Sequence, residues 1–79
     1  MKTLEEFVSL FAEQFDETDE SQFTPDTVYR DLEEWTSLIG LSVIAMVDEQ
    51  FEVALIANDF RKANTIAELY QVVVEKLNE

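Results

Sequence analysis

Few side chains in this 79-residue sequence can do covalent chemistry, because it holds neither cysteine nor histidine. Thiolate nucleophiles, imidazole bases and the usual zinc and haem ligands are therefore missing. What remains is a surplus of carboxylates, 18 acidic residues against 5 basic ones, and a scatter of hydroxyls. A carboxylate pair of the glycosidase kind needs a cleft, which a helical domain this small seldom builds. No nucleophile stands beside a base either, so the chain reads as a non-enzyme. Asp16, Asp19 and Glu20 are grouped like calcium ligands, but the glycine and closing glutamate of a calcium loop are absent, and no metal site is assigned. Among the hydroxyls, Thr36 and Ser37 follow Trp35 at the expected start of an apolar helix, where either can supply the cap.

The elements that would hold Ser37 in place are helical. Thr3-Leu4-Glu5-Glu6 matches a capping box, and Leu4, Phe7, Val8, Phe11 and Phe15 recur behind it at helical spacing, predicting a first helix that ends near Asp16. From Glu17 to Thr36 the periodicity lapses around Thr24-Pro25-Asp26, so a long loop is expected, pinned to the core by Val28 and Leu32. The next helix runs from Ser37 to about Glu52. On a helical wheel Leu41, Ile44, Val47 and Phe51 share the side expected to face the core, with Gly40 admitting a close neighbour. Leu38, Ile39 and Met46 fall toward the other side, beside Ser42 and Glu49, and three apolar residues on one face suggest a contact surface. Asn58 to Lys62 is a short helix begun by Asn58 and Asp59. Thr65-Ile66-Ala67-Glu68 is a second capping box, opening a helix whose core face is Ile66, Leu69, Tyr70, Val73 and Leu77. Three main helices, one short one and a long crossing loop predict an all-α, irregular four-helix bundle.

Length and charge narrow the setting. The chain makes one domain, residues 1–79. A hydrophobic content of 47% supplies an interior, and without disulfides or metal ligands its stability must come from regular helix packing. The formal charge of −13 disfavours a nucleic-acid partner and favours proteins with basic docking patches. No apolar run approaches the ~18 residues of a membrane span, and the acidic pair Glu5-Glu6 interrupts any signal-like segment. With the lack of cysteine, this gives the expectation of a cytoplasmic monomer.

At Trp35-Thr36-Ser37-Leu38 the sequence resembles the acyl carrier proteins, whose hallmark is Asp-Ser-Leu at the start of the second helix. Ser37 falls on the family's modified serine. The stretch from Ser37 to Phe51 keeps the family spacing from that serine through an apolar helix to an acidic pair and a phenylalanine. Asp31-Leu32 resembles the Asp-Leu before the serine, and Thr65-Ile66 the start of the family's last helix. The resemblance covers essentially the whole chain and implies the acyl-carrier form of the bundle.

It also implies that a phosphopantetheinyl transferase moves 4'-phosphopantetheine from coenzyme A onto the Ser37 hydroxyl, and that the terminal thiol carries acyl groups for fatty-acid-like or polyketide-like synthesis. The reactive sulfur then belongs to the cofactor, so the missing cysteine is no obstacle. Acyl-transferring or condensing synthases would dock on Leu38, Ile39, Met46, Asp48 and Glu49. A cleft among Ile44, Val47, Leu55 and Ile66 would shelter the chain, although these are equally ordinary core residues. Thr36 stands where the family has Asp, Ile39 and Ser42 where many members are acidic, and the Leu32-to-Ser37 interval is one residue longer than usual. Trp35, ahead of the hallmark, is expected to seal the loop against the core. Two other readings remain: an aminoacyl or peptidyl carrier, and a helical adaptor that has lost the cofactor.

Overall fold

The first helix begins where its capping box says it should. In the computed structural model, which describes residues 2–78, Thr3 Oγ1 accepts from the Glu6 amide at 3.2 Å and Glu6 Oε1 accepts from the Thr3 amide at 3.1 Å. This helix, α1, spans Leu4–Ala12. It stops short of Asp16 because the amides of Gln14 and Phe15 turn to the tighter acceptors Phe11 O and Ala12 O, while the Gln14 side chain donates to the Leu10 carbonyl. Three more helices follow: α2, Ser37–Phe51; α3, Ala57–Lys62; and α4, Ile66–Leu77. The described residues form a small helical bundle with no strand, in which α4 packs against α1, α2 and α3.

The connection between α1 and α2 is ordered by the chain itself. It carries two 3-10 turns, Glu20–Gln22 and Tyr29–Asp31. Glu34 reaches back across it. Its carboxylate accepts from the amides of Asp16 at 2.8 Å and Glu17 at 3.0 Å, and from the Thr18 hydroxyl at 2.7 Å. Led by the Thr18 bond, these donors hold the Glu34 carboxyl below the usual carboxylate range. Of the two residues expected to pin the loop, Leu32 is half-buried and packs against the core, whereas Val28 is exposed. The deeper anchors are Phe23, just after the first turn, and Tyr29, which opens the second, both buried. The radius of gyration, 11.3 Å, matches the roughly 11.6 Å of a packed domain of this length. The loop therefore lies on the bundle.

Aromatic rings fill the space between α1, the loop and α3. Phe11 lies within 6.3 Å of Phe7, Phe15, Phe23, Tyr29 and Trp35, centroid to centroid, and Trp35 reaches Phe60 at 5.6 Å. Trp35 seals the loop, as expected, and is half-buried there. On α4 the expected stripe holds for Ile66, Leu69 and Val73. Tyr70 is half-buried with its hydroxyl donating to the Lys2 carbonyl, and Leu77 is exposed.

Candidate functional site

Ser37 is the first residue of α2, and its side chain is exposed. The capping role falls to Thr36, whose Oγ1 accepts from the Ile39 amide at 3.3 Å and whose carbonyl accepts from the Gly40 amide at 3.0 Å. Among the described residues the amides of Ser37 and Leu38 find no protein acceptor. A phosphate on Ser37 Oγ would therefore meet open donors at the positive end of a helix of 15 residues. Thr36 caps the helix with an uncharged side chain.

The two faces of α2 are not those expected. Ile39 and Met46, placed on the docking surface by the wheel, are buried at 8% and 6% exposure, together with Val43, Val47 and Phe51. Leu41, expected in the core, is 62% exposed, Leu38 is 72% exposed and Ile44 is half-buried. The cause is that α2 carries apolar residues on every side, so two stripes compete for the core. The stripe 39/43/46/47 is the one that α2 buries in its packing with α1 and α4. The surface left on α2 is Leu38, Leu41, Asp48 and Glu49.

Gly40 does not mark an obligatory close approach. A Cβ built there would meet Trp35 at 3.8 Å, an ordinary contact. What Gly40 does instead is line a groove. Trp35, Thr36, Ser37, Gly40, Leu41 and Ile44 form one side; Ala57, Phe60 and Arg61 of α3, with Arg30 of the loop, complete it around about 400 Å³. Of Ile44, Val47, Leu55 and Ile66, which the sequence offers either as a cleft or as ordinary core, Val47, Leu55 and Ile66 are buried core and only Ile44 lines the groove.

The six-residue α3 is too short to hold itself and is pinned at both ends. At its start Asp59, only 2% exposed, accepts from the Ile56 amide at 2.9 Å and pairs with Lys76 of α4 at 3.1 Å and Lys62 at 3.7 Å. Burial pushes this carboxyl up, but the Ile56 amide and the Lys76 ammonium outweigh burial and leave it below the usual range. At its end the Tyr29 hydroxyl lies 2.7 Å from both the Phe60 and the Ala63 carbonyl, donating its single proton to one at a time. The Arg30 guanidinium donates to the same two carbonyls and to Asn64 Oδ1. Burial pushes the Tyr29 phenol up to about 12, against a smaller opposing effect of Arg30. Sequence reasoning had placed Asp59 only as a helix starter and gave Glu34, Arg30 and Arg61 no role. Asp59 alone carried a local signal, its position before a short apolar turn.

Compared with models of known families, with curated proteins and with solved structures, the chain matches none. Among the described residues no helix is long and apolar enough to cross a membrane.

Proposed function

We propose that the chain is an acyl carrier protein whose 4'-phosphopantetheine arm is attached at Ser37. The observation that carries this reading is the division of labour at the start of α2. Thr36 caps the helix, which leaves the Ser37 hydroxyl exposed, with two open amides to receive a phosphodiester. The resemblance from Ser37 to Phe51, and at Asp31-Leu32 and Thr65-Ile66, supports the same assignment. The residues present fit the group. Ser37 supplies the oxygen, Thr36 keeps the helix end in place, and the groove beside them offers an apolar wall of Gly40, Leu41 and Ile44. When bound, the arm supplies the thiol that holds acyl groups as thioesters.

In this reading a phosphopantetheinyl transferase and acyl-transferring or condensing enzymes dock on the exposed remainder of the α2 surface. Leu38, Asp48 and Glu49 stay on it; Leu41 takes the place of the buried Ile39 and Met46. The 13 excess negative charges would steer partners with basic patches toward it. Incubation with coenzyme A and a broad-specificity transferase, read by intact mass, tests the proposal. A gain of one phosphopantetheine followed by acyl loading is the expected result. A chain that never gains mass, while a known carrier in the same tube does, would leave the adaptor reading.

A further inference from the structure

The chain contains two arginines, and both line the groove beside Ser37. Among the described residues no acidic side chain does. Among the described residues neither arginine pairs with a carboxylate: the ion pairs to Asp59 are made by Lys62 and Lys76. In a chain of net charge −13 this is unexpected, because carboxylates far outnumber cations and would ordinarily claim them. Arg30 is held at the groove wall by the carbonyls at the end of α3 and by Asn64, with more N–H donors than these bonds consume. Arg61 is exposed and its side chain makes no protein hydrogen bond among the described residues. Between them the walls are apolar: Leu41, Ile44, Ala57 and Phe60.

We propose that this groove binds an amphipathic anion, a short apolar chain ending in a carboxylate or phosphate, with Arg61 and Arg30 taking the oxyanion. A guanidinium fork matches either head group and stays charged at any physiological pH, and the low polarity of the walls strengthens its hydrogen bonds. The groove adjoins the attachment site assigned above, yet its ligand need not be covalent, and the inference holds whether or not Ser37 is modified.

The test uses the unmodified full chain, titrated in turn with octanoate, octyl phosphate below its micellar concentration, and octanol, and followed by amide NMR shifts. Both anions are expected to move Gly40, Ala57 and Arg61 and to bind about tenfold more tightly than octanol, the gain of one charge-assisted hydrogen bond. In Arg61→Gln the anions should lose about that tenfold while octanol binding and the melting temperature stay unchanged; Ser42→Ala, outside the groove, should bind all three like the parent. Preference for octyl phosphate would identify a phosphorylated ligand, and preference for octanoate a free carboxylate; either supports the groove. Equal binding of octanol and the anions, an unaffected Arg61→Gln, shifts confined to other surfaces, or no binding at all would each overturn the inference. Because the unmodified chain carries no arm, failure here is separable from failure of the carrier reading.

Discussion

The starts of α2 and α4 are built from similar caps and finished differently. At α4, Thr65 Oγ1 accepts from the Glu68 amide at 3.1 Å, the Thr65 carbonyl takes Leu69, and the crossing loop supplies the rest: Ile66 donates to the Thr27 carbonyl at 3.1 Å and Ala67 to the Pro25 carbonyl at 2.9 Å. At α2, Thr36 serves Ile39 and Gly40 in the same way, but no loop covers Ser37 and Leu38. One helix end is closed by the fold and the other is left open beside a groove. The difference teaches that the long connection is not a neutral linker. Its carbonyls complete α4, and its Tyr29 and Arg30 complete α3, while it leaves Ser37 uncovered.

The largest expected effect comes from cutting that loop loose. Tyr29 is fully buried, so Tyr29→Ala should cost about 3–5 kcal/mol, read by denaturant unfolding, from the lost ring and the unmet α3 carbonyls. A loss under about 1 kcal/mol would mean that the loop does not close the bundle. Next, Met46→Glu places an unpaired charge under α2 and should lower stability by about 3 kcal/mol, whereas Leu41→Gln on the open side should stay within about 0.5 kcal/mol. Equal melting temperatures for the two variants would restore Met46 to the docking surface and break the assignment of faces.

Acid should act on the closed side through Asp59 and Glu34. Both carboxyls sit below their ordinary range in the folded chain, so the unfolded chain takes up protons first as pH drops. Their stabilisation is complete above the ordinary carboxylate pKa and is lost as pH falls below about 4 through the folded values. Asp59→Asn should cost roughly 1–2 kcal/mol at pH 7, and its deficit against the parent should shrink below about pH 4. A deficit that is constant with pH would remove the charge from the account of α3. The smallest effect sharpens the comparison itself. Thr65→Ala should cost about 1 kcal/mol by thermal melt, whereas Thr36→Asp preserves a capping oxygen at α2 and should leave stability nearly unchanged. If a transferase reads charge at this position, Thr36→Asp should also speed modification.

Much of the fold was legible because local signals agreed: both capping boxes form, and Phe7 and Phe11 of α1 and Ile66, Leu69 and Val73 of α4 face the core as their spacing predicts. Ser37 at a helix start was legible for the same reason. The inner face of α2 was not, since Leu38, Ile39, Leu41, Val43, Ile44, Met46 and Val47 surround the helix and periodicity alone does not choose among them. The groove walls were illegible for a different reason. Arg30 and Arg61 stand 31 residues apart, and nothing local says that a tyrosine clamp brings the loop to the end of α3.

The measurement that tests the central claim most directly is site-resolved modification of the open helix end. The parent chain, Ser37→Ala and Ser42→Ala are incubated in parallel with coenzyme A and a broad-specificity phosphopantetheinyl transferase, then read by intact mass and peptide fragmentation. The account predicts a gain of one phosphopantetheine in the parent and in Ser42→Ala, mapped to the Ser37 peptide, and none in Ser37→Ala. Modification that persists in Ser37→Ala, or that maps to another hydroxyl, would contradict it.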